Sequence, residues 1–500
     1  MAKKKPKTKK AKRSLFSKEK KIKEQPVKGN GGKSSNETAS HDEPAKKEFP
    51  VTPVQDVIPI KEIYRGVIVT TDGRYIKILE VLPINFTLKS YEEQDNIIHL
   101  FASWLRIAPS SMQFKIITRR ADSSNIIQNI EDASEKETQP KCRELIEDHI
   151  KFIERLSGTE ALQRRFFLIF EYENTSIRKK TIDDIADDVE ETCRKVRGGL
   201  GACGNEVIIP TDEDYFMAEI LYLFYNRKTC IEEPLDSRII RVTKDYMAMH
   251  GLVEGEDPYP DVPIIDYLAP RGIDFTHKNF MIWDGQYVAM YYIESAGYPS
   301  QVHGGWVSSL FEAGDGVDVD IILRKLNRAQ VKDKVALKLK LNRIKASGRN
   351  DTDTDFEEIE GAIYSAQYIK QALANGEDFY NLYTIITVSA DTYEDLQRRQ
   401  EDIMDYLYSR DITVKEIHMR LEDAFQVSAP LLQNRQDLLQ FAERNVMTFG
   451  AASFFPFSSA EICDEHGIVL GVNRRYSSVV NMDIFNSKKY KNANIAILGT

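Results

Sequence analysis

Apolar residues recur along this chain at two spacings, and the switching between them predicts most of its elements. The run Gly66-Val67-Ile68-Val69-Thr70, a turn at Asp72-Gly73 and the run Tyr75–Val81 predict a β-hairpin, because an Asp-Gly pair accepts the positive φ of a tight turn. Ser90 then reads as an N-cap with Glu93 completing a capping box. The helix it opens puts Ile97, Leu100, Phe101, Trp104 and Leu105 on one face. A strand follows over Phe114–Ile117. Helix and strand then alternate: helix near Cys142–Leu156, strand Phe166–Tyr172, helix Ile182–Val196, strand Val207–Ile209, helix Tyr215–Tyr225.

The same pattern is stated a second time. Phe280–Trp283, a turn at Asp284-Gly285 and Tyr287–Ile293 predict another hairpin. A helix over Val302–Phe311 leads to a strand over Val317–Leu323. Helices near Ala329–Ile344 and Phe356–Ala374, strand Leu382–Val388, helix Tyr393–Tyr408 and strand Ile412–Ile417 complete it. Two tandem α+β units of ferredoxin-like type explain the repetition. Between them, Pro258, Pro260, Pro263 and Pro270 mark an extended connector.

Charge divides the chain differently. Residues 1–28 carry thirteen Lys/Arg and two Glu, a net of +11, against −9 for all 500 residues, so the remainder sums to −20. An arm of that composition followed by the Gly/Ser/Asn-rich Gly29–Ser40 cannot bury a core, so disorder is expected to about Val51. Such an arm serves as a solubilising tail or attaches to an anionic membrane surface or nucleic acid. A single aromatic (Phe16) speaks against stacking on single strands. No apolar run reaches the ~18 residues of a membrane span, and the lysine-rich N-terminus has no signal-peptide core. Five scattered cysteines without a CxxC pair fit a reducing cytoplasm and disfavour a zinc site.

Candidate chemistry is sparse. The D-x-D-x-D run from Asp351 resembles a calcium loop, but Phe356 and Ala362 stand where an EF-hand needs Gly and Glu. A polar loop with Thr354 capping the next helix, and Glu357 completing the box, accounts for it better. His277, His303 and His466 lie in no H-E-x-x-H or G-x-S-x-G context, so no catalytic or metal residue is assigned. The acidic run Asp183–Asp188 reads as a solvated helix face. The last residues, Ile495-Ala496-Ile497-Leu498-Gly499-Thr500, read as a strand entering a phosphate-binding loop. Gly499 and Thr500 are its first two positions and the candidate nucleotide-binding residues.

The order of motifs over 444–500 carries a resemblance. Arg444-Asn445-Val446-Met447-Thr448 and Phe454-Phe455-Pro456-Phe457 come first. Gly467-Ile468-Val469-Leu470-Gly471-Val472-Asn473, Asp483 with Phe485, and Asn492–Thr500 follow. This run is similar to the conjugative-transfer ATPases of type IV secretion systems (VirB/TraC/TraE-type). Phe275–Trp306, with Tyr298-Pro299 and Gly305-Trp306, resembles that family's N-terminal region.

The resemblance implies an α+β interaction region followed by a RecA-like motor that works as a hexamer with ATP and Mg²⁺. It also implies channel proteins as partners and a cytoplasmic place on the inner face of the membrane. The map it implies is a disordered basic arm at 1–52, a first unit at 53–255 and a connector at 256–270. A second unit at 271–420, a helical connection at 421–466 and the opening strands of the motor at 467–500 complete it. The P-loop Lys and the Walker B acid are absent from these residues. The chain alone is therefore expected neither to bind ATP in that manner nor to hydrolyse it. The alternative is a non-catalytic docking module of a conjugation machine.

Overall fold

Strand sequences here are apolar on both faces over long stretches, which calls for helices on either side of a sheet. A computed structural model describes residues 53–120, 127–128, 130–132, 134, 137–159, 162–173, 180–252, 262–299, 301–347, 353–459, 467–473, 479–487 and 492–496. The strands are β1 (Ile60–Tyr64), β2 (Val67–Thr70), β3 (Tyr75–Leu82), β4 (Ser111–Arg120), β5 (Leu162–Glu171), β6 (Glu206–Val207), β7 (Ile273–Asp274) and β8 (Met281–Trp283). They continue with β9 (Gln286–Ile293), β10 (Val317–Lys325), β11 (Phe379–Ala390), β12 (Val414–Glu416), β13 (Arg444–Met447), β14 (Ile468–Val472) and β15 (Val479–Met482). The principal helices are α1 (Tyr91–Leu105), α2 (Pro140–Thr159), α3 (Ile182–Ala202), α4 (Glu213–Tyr225), α5 (Leu235–His250), α6 (Arg328–Ser347), α7 (Asp353–Ala374), α8 (Tyr393–Tyr408) and α9 (Leu421–Ser428).

Among the described residues, thirteen strands form one sheet of order β1-β2-β3-β5-β4-β10-β11-β9-β8-β7, with β6 on β3, β12 on β9 and β13 on β11. Its pairings are antiparallel. Outward from the β4–β10 seam the two halves have the same order: β4-β5-β3-β2-β1 and β10-β11-β9-β8-β7. The helices follow suit, with α3 and α8 leading into β6 and β12, and α4 and α9 following them. One face of the sheet packs Phe114, Phe166, Val319 and Ile386 against α1, α3 and α8. The other packs Ile78, Ile169, Ile322 and Ile385 against α4 and α9. The result is three layers, helix–sheet–helix.

Local chemistry explains several boundaries. Ser90 accepts from Glu93 N while Glu93 Oε2 accepts from Ser90 N at 2.9 Å, so α1 starts on the predicted capping box. The expected helix over Val302–Phe311 is cut to Ser308–Phe311. Gly305 takes φ +76°, and a Cβ on Gly304 would run into Ile98 and Phe86, so the chain turns tightly there instead. The connector is not extended throughout: Ile264–Leu268 is a helical turn after Pro263, with Leu268 buried; 256–261 lie outside the described residues. Helix α7 begins at Asp353, so Thr354 sits inside its first turn. Residues 492–496 form no strand, and the rest of the expected strand, 497–500, lies outside the described residues.

Trp104 shows how tightly the first half is packed. It is buried over Gly199 of α3, where an added Cβ would overlap the indole ring. Alanine gains about 1 kcal/mol of helix propensity over glycine, but overpacking costs typically 1–3 kcal/mol. Gly199→Ala should therefore lower the urea midpoint and shift the Trp104 emission, readable by fluorescence. Unchanged emission would mean that the ring is free to move aside.

Candidate functional site

The seam between the two halves carries the most deeply buried of the sheet's charges. On β4, Met112, Phe114 and Ile116 face one core, which leaves Gln113 and Lys115 on the opposite face. On β10, Val317, Val319 and Ile321 face that same core, which leaves Asp318 and Asp320 beside Lys115. The register sets Lys115 directly opposite Asp320. Lys115 Nζ donates to both Asp320 oxygens and to the Ser428 carbonyl, each at 2.9 Å. It thereby also occupies the negative end of α9. Gln113 donates to Asp320 at 2.8 Å.

Asp318 collects the other cations. Its Oδ1 accepts from Thr118 N at 3.0 Å and Arg119 Nη1 at 2.8 Å, and its Oδ2 from Arg227 Nη1 at 2.7 Å. Arg227 is delivered by the turn after α4, lies 5.0 Å from the Trp283 ring centroid and donates to Ser389 Oγ at 3.0 Å. Burial alone would raise the Asp318 pKa, but Arg119, Arg227 and Lys115 hold it well below the usual carboxylate range. Burial moves Asp320 the other way, upward, with Lys115 opposing. A carboxylate held charged by three cations and sealed from water is a poor proton carrier. The seam works as a register pin: a one-residue slip would set Asp320 against Phe114 or Ile116 and turn its charge into the apolar core.

Two cavities flank this core. One, about 180 Å³, lies at the seam and is lined by Arg119, Arg227, Lys228 and Arg399 together with Glu232, Asp315 and Asp391. Arg399 donates to Asp315 at 2.6 Å, and the balance of signs gives it no marked preference for an anion. The other, about 450 Å³, lies between Trp104, Tyr172, Lys180, Asp188, Lys195 and Lys325. Tyr172 donates to Asp188 there at 2.7 Å, and Lys180 pairs with the same carboxylate.

The Phe454-Phe455-Pro456-Phe457 run crosses back into the first half. Its rings meet Phe86, Phe101 and Phe114 at centroid distances of 5.0–5.8 Å. Ile84 N donates to the Phe457 carbonyl and Ser459 N to the Ile84 carbonyl, both at 3.0 Å. Asn205 Nδ2 donates to the same Phe457 carbonyl at 3.2 Å. Within 421–466, expected as a helical connection to a motor, α9 and two further helices, Gln436–Ala442 and Thr448–Ala452, with β13 on β11 between them, lead into this strap, which closes the body.

The predicted nucleotide residues, Gly499 and Thr500, lie outside the described residues, as do the basic arm and His466. His277 is 3.7 Å from Asp274 at the surface. Burial pushes the Cys193 thiol up to about 12 and the Cys203 thiol up to about 11, which suppresses their thiolates. Among the described residues, no cluster of three or more His, Cys, Asp or Glu could hold a metal ion, and no helix is long and apolar enough to cross a membrane. The seam was not foreseen from sequence. Its signal was present in Lys115 within an apolar strand and in the alternating Asp318 and Asp320.

The fold and its buried charges therefore define a mixed α/β protein built on a large antiparallel sheet whose two halves are pinned to each other. Residues 61–193, from β1 into α3, match the family described as the Archaeal TraC-like domain. That match suggests a TraC-like, conjugation-related protein. Among curated proteins, none matches the chain.

Proposed function

We propose that the chain is the N-terminal portion of a type IV secretion (conjugation) ATPase, which energises assembly of the transfer channel and transfer of DNA or protein. The TraC-like match over the first half of the sheet carries this reading. The motif order across 444–500 supports it. In this reading the two halves are tandem ferredoxin-like units. The pairing order β6-β3-β5-β4 supports that view, with α2 inserted between β4 and β5, as does its counterpart β12-β9-β11-β10, with α6 and α7 inserted between β10 and β11. Residues 467–500 are the opening strands of the RecA-like motor, and Gly499 and Thr500 begin its phosphate loop.

ATP and Mg²⁺ then bind only when the loop's Lys and Ser/Thr follow, and the motor assembles as a hexamer. The body sits at the cytoplasmic face of the membrane against channel proteins, with residues 1–28 on anionic lipid or nucleic acid. Reading the gene onward from the Thr500 codon tests the proposal. An open frame completing G-x-x-x-x-G-K-[ST] is expected, with saturable Mg-ATP binding in the longer product and none in the 500-residue chain. A stop at that codon would sink the ATPase reading. What would remain is a docking module, favoured by the strap at Phe454–Ser459, which closes the body whatever follows it.

A further inference from the structure

Helices α6 and α7 form an antiparallel hairpin whose inward faces pack on each other. Val331, Val335, Ile369, Ala372 and Leu373 gather at its base with Phe379 and Met447. At 100° per residue, Leu337, Leu341 and Ile344 fall on the opposite side of α6 from Val331, Val335 and Leu339, and all three are about half exposed. Tyr364 and Tyr368 do the same on α7, at 72% and 57% exposed. Each helix therefore turns an apolar ridge outward, and the two ridges lie on opposite sides of the hairpin.

The charges of the two helices are also opposite. The α6 sequence carries seven Lys/Arg and one Asp, whereas that of α7 carries five Asp/Glu and one Lys. The exposed Lys334 and Lys340 flank the leucine ridge, and the exposed Glu360 lies one turn from Tyr364.

We infer that the hairpin binds a second copy of this chain, the basic leucine ridge of α6 seating on the acidic tyrosine ridge of α7 in the neighbour. A basic ridge finds its complement on the same molecule, displaced to the other side of the hairpin, and complementary potentials select and orient such partners. Because the surfaces are unlike and face apart, the contact is head-to-tail, closing into a ring or running on as a filament. The inference rests on the self-assembly part of the reading above and locates one contact for it.

Charge reversal tests this by sedimentation velocity of the 500-residue chain at about 50 mM and about 200 mM salt, across which exposed charges are increasingly screened. Wild type is expected to self-associate more strongly at the lower salt. Lys334→Glu/Lys338→Glu/Lys340→Glu takes α6 from a net of +6 to zero with three carboxylates beside its ridge, and Glu357→Lys/Glu358→Lys/Glu360→Lys takes α7 from −4 to +2. Each variant alone should lose association by tenfold or more. An equimolar mixture of the two, or one chain carrying all six changes, should regain it, which a folding defect could not produce. Assemblies that persist in both single variants would overturn the hairpin contact and leave ring assembly in place. A wild-type chain that stays monomeric at both salts would likewise overturn the contact and leave assembly through the motor untouched.

Discussion

Replacing Asp318 by asparagine should lower the unfolding free energy by about 3–5 kcal/mol, the range found when one member of a buried ion pair is removed. Asparagine keeps the shape and the acceptor for Thr118 N, but leaves Arg227, itself buried, without its counter-charge. The sign with pH follows from the direction of the shift. The Asp318 pKa is depressed in the folded chain, so its contribution is in full force above the unfolded value near 3.9 and is lost as pH falls through the folded one. The stability gap between wild type and Asp318→Asn should therefore be level from pH 7 down to about pH 5 and narrow below about pH 4. Denaturant titrations at several pH values measure it. A gap that closes between pH 6 and 7 would mean that the seam is held by a different titrating group.

The second large effect is expected at the strap. Phe455→Ala removes a fully buried ring that meets both Phe86 and Phe101, and such truncations cost about 3–5 kcal/mol. The loss should appear first in the half to which the strap returns. Hydrogen exchange should rise in β3 and α1 more than in β9 and α8. Uniform loss of protection across both halves would instead mean that the body unfolds as one cooperative piece and that the strap is no local clasp.

Much of the architecture was legible from spacing alone. The Asp-Gly turns are where both hairpins close, and the Ser90–Glu93 box starts α1, because these signals are local and hold whatever surrounds them. The repeated order of hairpin, helix and strand was legible too. That the halves join edge to edge through β4 and β10 was not, since their pairing spans about 200 residues and rests on side chains on the hidden face. The shortened helix at Ser308–Phe311 was missed for a similar reason. The Gly304-Gly305 turn is imposed by Phe86 and Ile98, far away in the chain. The aromatic run at 454–457 was read through its motif order, whereas its place is set by a pocket built from the first hundred or so residues.

That distance has a consequence on the ribosome. The pocket of Phe86, Phe101 and Phe114 is made early, and the rings that fill it emerge about 370 residues after Phe86. At roughly 5–20 residues per second, the nascent chain would carry an open aromatic groove for about 20–75 s before its own C-terminal segment arrives to cover it. Chaperone occupancy during synthesis should therefore peak on the first half of the sheet and fall only once the codons near 457 have been translated.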